Sequence, residues 1–357
     1  MDIPTRAQIV RWADDAGIPV AAVLPIHYPR ELLRACGFHP MEVWGPVGVD
    51  TTASSAHFQA YTCAIVHNAT SFLMSGRLDV ASVVLIPHAC DSLQGMASVL
   101  QDFVETLQPV HTLYLPRGGR PSDAQFLEAE LRRLGGALAA HSGASLTDDA
   151  LGAALETEEE ADQEHAALAL GRDRIALDDR SFFTLLRSRE YLPCNRFVEL
   201  ARSAPRGEPP ADGAVRIMLS GIVPEPMELF DHLAHAGARV VADDLACCSR
   251  RIYPTGTTGD PWRRMVRRLL GSPPDPTRGT AIAERARALV RRMREHQARG
   301  LLVYDPKFCE PELFDLPILR QRLEAEGLSL LHVEVDLAGT LSQQAMTRME
   351  AFVEMLR

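Results

Sequence analysis

Lysine is nearly absent from this 357-residue chain: of 37 basic residues, 36 are arginine and one is Lys307. The plain explanation is the codon bias of a GC-rich genome. With 47 acidic against 37 basic residues the net charge is −10. That balance argues against nucleic acid as a partner while leaving room for a local basic cleft that holds a smaller anion. No apolar run approaches the roughly 18 residues that a membrane helix needs. The opening MDIPTRAQIVRWADD is polar and periodic and lacks a cationic stretch followed by an apolar core, so neither a signal nor a transit peptide is expected. A cytoplasmic, soluble protein without a membrane partner follows as the expectation. Also missing are a GxSxG elbow, a GxGxxG fingerprint and a P-loop after a strand, so serine-triad catalysis is not expected and no nucleotide is expected on this chain.

What is present fits an ordinary globular protein, with 46% hydrophobic and 24% charged residues and a length that suggests two to three domains. The seven cysteines, Cys36, Cys63, Cys90, Cys194, Cys247, Cys248 and Cys309, are odd in number and widely spread, which argues against a disulfide framework. Short β-branched runs alternate with helical patterns, the mark of βα units around a parallel sheet. The predicted fold is α/β: two similar parallel-sheet units, residues 1–144 and 214–357, joined by a helical connector and linker at 145–213, with the site in the cleft between them. Strands are expected at Val20–Leu24, Met41–Val43, Ser82–Ile86, Thr112–Leu115, Val215–Leu219, Val240–Asp243, Leu301–Tyr304 and Leu330–Val335. One long helix is expected over Ala56–Met74. In the connector, the acidic run Glu156, Glu158, Glu159, Glu160, Asp162 and Glu164 reads as a solvated helix face, and SAPRGEPPADG (203–213) reads as an exposed linker.

Ligands of open parallel sheets collect beyond the carboxyl ends of the strands, which singles out Cys90 in VVLIPHACDSLQG and Cys309 in LLVYDPKFCEPELF. Each follows a strand and precedes a helix, where unpaired N–H groups and the positive end of the helix dipole favour a thiolate. Cys63, in AYTCAIVHNATSFLMSG, lies on or beside a helix of the first unit. The spacings contain no CxxC pair, so buried thiols that act as small hydrophobes compete with the metal-binding reading. Lys307, two residues before Cys309, either offsets negative charge near the thiolates or is a solvated loop lysine. His27, His67 and His88 lie near strand ends or near a cysteine; each is a candidate for substrate contact or proton transfer, or else an ordinary satisfied polar residue. Cys36, Cys194 and the pair Cys247 and Cys248 read as structural. Arg250, Arg251, Arg263 and Arg264 form a basic stretch, read as an exposed amphipathic helix or as a contact for CoA phosphates.

The segments GIPVAAVLPIHYPRELLRACG, FQAYTCAIVHNA, VLIPHACDSLQGM, RIMLSGIVPEP, HAGARVVADDL, FCEPELFDLPILRQRLEAEG and TRMEAFVEML carry a family likeness over nearly the whole chain. In order and spacing the chain resembles the iron–sulfur subunits of 2-hydroxyacyl-CoA dehydratases and benzoyl-CoA reductases. The resemblance implies that Cys63, Cys90 and Cys309 hold a 4Fe–4S cluster with one iron free of thiolate. It implies an acyl-CoA substrate, a homologous second subunit, and a separate ATP-dependent activator with its own iron–sulfur cluster. The implied reaction adds one electron to the thioester carbonyl; the resulting ketyl radical expels the hydroxyl group and acidifies the β-proton, and the electron is recovered at the end. Alternatives are an aryl-CoA reductase subunit, a non-catalytic electron-relay subunit, and a zinc-binding structural protein.

Overall fold

The segment VAAV is apolar on both faces and buried throughout, as a strand inside a parallel sheet covered on both sides requires. It belongs to the first half of a chain described here by a computed structural model covering residues 1–207, 213–255, 259–337 and 339–357. Helix α1 (Arg6–Asp15) leads to β1 (Val20–Val23), α2 (Arg30–Ala35), β2 (His39–Glu42), the single turn α3 (Thr52–Ser55), α4 (Ala64–Met74), β3 (Ala81–His88), α5 (Asp91–Asp102), β4 (Val110–Tyr114) and α6 (Asp123–Ser142). Three helices follow without a strand: α7 (Asp148–Leu170), α8 (Asp179–Arg187) and α9 (Cys194–Arg202). Then come β5 (Val215–Gly221), α10 (Glu228–His235), β6 (Ala238–Leu245), α11 (Pro261–Leu270), α12 (Ile282–Glu295), β7 (Gly300–Pro306), α13 (Glu310–Ala325), β8 (Ser329–Val335) and α14 (Gln343–Met355).

The strands form two four-stranded sheets, ordered β2-β1-β3-β4 and β6-β5-β7-β8, and every pairing is parallel. Both sheets repeat one plan: the second strand is laid to one side of the first, and the third and fourth to the other. The chain thus reverses its direction of travel between β1 and β3, and again between β5 and β7. These are the positions where parallel sheets open a crevice beyond their carboxyl ends. Gly221 closes β5 at φ +133°; a Cβ there would lie 2.1 Å from the carbonyl oxygen of Tyr304, so only glycine lets β5 and β7 approach so closely.

One apolar core runs from Ile9 and β1 through Phe182, Phe183 and Phe197 of the connector to Leu219 and Tyr304 of the second sheet. A second core covers the opposite face of the first sheet. There α11, from the chain's second half, packs Trp262, Met265, Val266 and Leu269 against α6 and α7. The third core, Met218, Val241, Leu289, Leu301 and Leu319 among others, lies under α12 and α13.

Three expectations require correction. The acidic run is not a solvated face: Glu158, Glu159 and Asp162 are buried, whereas Glu156 and Glu160 are exposed. Helical periodicity turns the first group inward, where arginines from α2, α11 and the turn after α8 meet it. Arg34 Nε lies 2.8 Å from Glu158, Arg189 Nη2 2.8 Å from Asp162, and Arg268 Nη2 2.5 Å from Asp162. Arg250 and Arg251 are also buried, in a short 3-10 turn, and of the basic stretch only Arg263 is fully exposed. The long helix over Ala56–Met74 is instead α3, a non-helical stretch and α4, with Cys63 at the break. Residues 208–212 of the expected linker lie outside the described residues.

Candidate functional site

Cys63, Cys90 and Cys309 occupy equivalent positions: each is the residue that caps the N-terminus of a helix, α4, α5 and α13 respectively. Cys90 follows β3 and Cys309 follows β7, the two strands that flank the reversal points. The amide of Ala64 donates to the carbonyl of Lys307 at 3.1 Å, tying the start of α4 to the loop before α13. The two halves of the chain are thereby joined where their cysteines lie.

The electrostatics follow from this meeting. The neighbouring Cys309 holds Cys63 below the ordinary thiol range against the effect of burial, with help from the amides of Ile65 and Val66. Cys63 and burial push Cys309 well above that range. Burial, then the neighbouring Cys63, pushes Cys90 up to about 12, while the amides of Leu93 and Ser92 oppose that rise. Among the described residues no group of three or more His, Cys, Asp and Glu side chains is gathered as a ready site for one metal ion. What fits an iron–sulfur group is the donor chemistry: three free thiols, drawn from both sheets, with helix amides beside Cys63 and Cys90 to offset negative charge.

The histidines fall into three situations. His27 is buried at φ +55° directly after Ile26 at φ +72°, two strained residues in succession beyond β1. Its Nε2 lies 3.0 Å from Thr277 Oγ1 and 3.4 Å from Asp275. Burial lowers its pKa although Asp275 acts the other way. His67 is tethered at both ring nitrogens, to Ser54 Oγ at 3.0 Å and to the carbonyl of Gln59 at 3.1 Å. His88, at the end of β3, packs edge-on to Tyr114 with ring centroids 4.3 Å apart, and among the described residues neither ring nitrogen has a hydrogen-bond partner. Burial lowers its pKa. Lys307 is half-exposed with its ammonium 3.8 Å from Asp336.

Other charged groups at the site were not singled out by sequence. Arg117 donates to the carbonyl of Ala89 at 2.9 Å, between His88 and Cys90. Asp305, next to last in β7, is fully buried; burial, then Glu312, raises its pKa to about 7 against the pull of His332, whose Nε2 is 3.3 Å away. Glu312, on the first turn of α13, is gripped by Arg250 at 2.7 Å and Arg285 at 2.6 Å. Asp305 carries one signal that was visible, a carboxylate at a strand end. Glu312 and Arg250 carry none, because their pairing spans 62 positions.

Two like-built four-stranded parallel sheets, each with a cysteine at the helix start beyond its third strand, make this an α/β protein of two similar units. Residues 25–356 match the family described as 2-hydroxyglutaryl-CoA dehydratase, D-component, and the chain belongs to that family. It is 25% identical over 366 residues to the (R)-phenyllactyl-CoA dehydratase beta subunit of Clostridium sporogenes, covering 98% of this chain and 95% of that one. It is 25% identical to the lactoyl-CoA dehydratase beta subunit of Anaerotignum propionicum, with 96% and 93% covered. It is 24% identical to one of the benzoyl-CoA reductase subunits of Thauera aromatica, with 87% and 84% covered. Among the described residues no helix is long and apolar enough to cross a membrane.

Proposed function

We propose that this chain is the 4Fe–4S cluster-bearing subunit of a radical 2-hydroxyacyl-CoA dehydratase, which eliminates water from a 2-hydroxyacyl-CoA. The observation that carries the proposal is that Cys63, Cys90 and Cys309 each stand at the N-terminus of a helix, Cys90 and Cys309 beyond equivalent strands of the two sheets. These three residues would hold the cluster. When bound, it supplies one electron at low potential and an iron free of protein thiolate.

The protein's own groups define the rest. The amides of Ile65, Val66, Ser92 and Leu93 stabilise negative charge at the sulfurs. Burial of Cys63 and Cys309 limits water at the reacting end. His88, His27 and His67 contact substrate or carry the β-proton; what supports His88 is that neither of its ring nitrogens has a hydrogen-bond partner among the described residues, whereas His27 and His67 are fixed by Thr277, Asp275, Ser54 and Gln59. Lys307 adds positive charge beside Cys309. Residues 1–144 and 214–357 are the two α/β units of the cleft and 145–213 the connector. The chain works in the cytoplasm beside a homologous second subunit, as the "beta" names of its relatives suggest, and with an ATP-dependent activator.

The match to a benzoyl-CoA reductase supports a second reading, an aryl-CoA reductase subunit. Product analysis of the reconstituted complex separates the two. Dehydration yields an enoyl-CoA with no net consumption of electron donor, whereas ring reduction consumes donor in step with product. If an acyl-CoA leaves the spectrum of this subunit's cluster unchanged while turnover proceeds, the chain is an electron relay and the substrate role is wrong.

A further inference from the structure

Between α1, the stretch after β2 and the turn from α4 into β3 lies a groove of about 710 Å³ that is lined by none of the cysteines. Its volume falls within the range of small-molecule sites. Helix α1 forms one wall, the stretch after β2 forms the floor, and the end of α4 with the turn into β3 forms the other wall. The apolar surface comes from Val10, Val43, Trp44, Val47, Phe72 and Val80. Val47 and Val80 are 50% and 55% exposed, so this surface is open to solvent. Gly45 keeps the floor low: it sits at φ +77°, and a Cβ there would meet Asn68 Cβ at 2.5 Å.

Four arginines surround this apolar surface, and they divide into two pairs. Arg6 and Arg187 are committed: Arg6 binds the carbonyl of Glu42 at 2.8 Å and Glu190 at 2.5 Å, and Arg187 pairs with Glu190 at 2.8 Å and with Glu225. Arg11 on α1 and Arg77 after α4 are exposed, and among the described residues neither has a hydrogen bond or ion pair. In a chain of net charge −10, two uncommitted guanidinium groups on separate walls of one apolar groove stand out. Guanidinium forks suit carboxylate and phosphate. Trp44, 5% exposed, has an indole N–H with no partner among the described residues, and a buried donor left unpaired is costly enough to need a reason.

We propose that this groove is a binding site for an amphipathic anion, with the anionic head held between Arg11 and Arg77 and the apolar tail laid over Val10, Phe72 and Val80 beside Trp44. The site is separate from the cysteine cleft and does not depend on the cluster assignment.

Calorimetric titration of the full chain with octanoate and with octyl phosphate tests the proposal and shows which head is preferred. The expected result is saturable one-to-one binding of at least one of them, with a change in tryptophan fluorescence that Trp44→Phe abolishes. Acetate, inorganic phosphate and octanol, each lacking one half of the ligand, should bind at least tenfold more weakly. Arg11→Ala/Arg77→Ala should weaken binding at least tenfold, Val80→Asp should weaken it likewise, and Arg263→Ala, at an exposed arginine of α11, should leave it unchanged. Unchanged thermal melting of these surface variants separates lost binding from lost fold. No saturable binding, equal affinity in the double arginine variant, or octanol binding as tightly as octanoate would overturn the proposal. So would loss of octanoate binding when a second subunit is added, which would mark the groove as a protein interface.

Discussion

The amide of Ala64 donates to the carbonyl of Lys307 at 3.1 Å, and the amide of Lys307 donates in turn to the carbonyl of Val335 at 2.9 Å. The loop that presents Cys309 is therefore suspended by its backbone between α4 and β8. Because both bonds use main-chain atoms, the side chain of Lys307 can be exchanged without loosening the loop.

That separation gives a first prediction. Lys307→Met should leave iron content and melting temperature unchanged but shift the midpoint potential of the cluster to more negative values, since a nearby cation stabilises the added electron. Lys307→Arg should restore the potential. Redox titration followed by EPR makes the measurement. An unchanged potential in Lys307→Met would leave the residue a solvated loop lysine.

Among the described residues His88 has no hydrogen-bond partner at either ring nitrogen. His88→Ala should lower turnover of the assembled enzyme by about a hundredfold or more, the usual scale for a lost general acid or base, with cluster content retained. Turnover within twofold of the wild type would remove His88 from the mechanism.

Glu42 joins the chain's two halves: its carboxylate meets Arg251 Nη2 at 2.8 Å and Arg30 Nη2 at 2.5 Å. Burial opposes its ionisation, but Arg251 and then Arg30 outweigh it and hold the pKa at about 2. A depressed carboxylate pKa contributes stability that is present above the ordinary value near ~4.3 and is lost as pH falls toward the folded value. Wild-type stability should fall by on the order of 3 kcal/mol from this group between about pH 4.5 and pH 2. Urea unfolding of Glu42→Gln should show a correspondingly shallower decline over that window. An identical pH profile would show that the link does not titrate as described.

Glu158 is fully buried between Arg34 and Arg189. Glu158→Ala leaves two guanidinium groups short of a partner and should cost about 3–5 kcal/mol in urea unfolding. Glu156→Ala, two residues away on the exposed side of the same helix, should cost less than about 0.5 kcal/mol. Similar effects for both would mean that the buried network carries little of the stability.

The central strands were legible in the sequence because runs such as VAAV and VVLIP are apolar on both faces, a pattern that needs no partner to be recognised, whereas the edge strand β2 (HPME) was legible only in part. The placement of Cys90 and Cys309 was legible for a related reason, since each follows such a run. The inward turn of Glu158 and Asp162 was hidden because a carboxylate on a helix declares its solvent only through the arginine it meets, and Arg189 and Arg268 come from other elements. The break at Cys63 was hidden similarly: the bond that meets the first amide of α4, from Ala64 to Lys307, joins residues 243 positions apart. The contact between Cys63 and Cys309 is likewise a property of the folded chain, and family likeness rather than spacing pointed to it.

The most direct test of the central claim is iron and acid-labile sulfide analysis of the anaerobically purified chain, alongside Cys63→Ala, Cys90→Ala and Cys309→Ala. The account predicts about four irons and four sulfides per chain, a cluster EPR signal on reduction, and loss of both in each variant, while Cys36→Ala retains them. Zinc in place of iron, or no metal after anaerobic reconstitution, or a full complement of iron in any of the three variants, would contradict it.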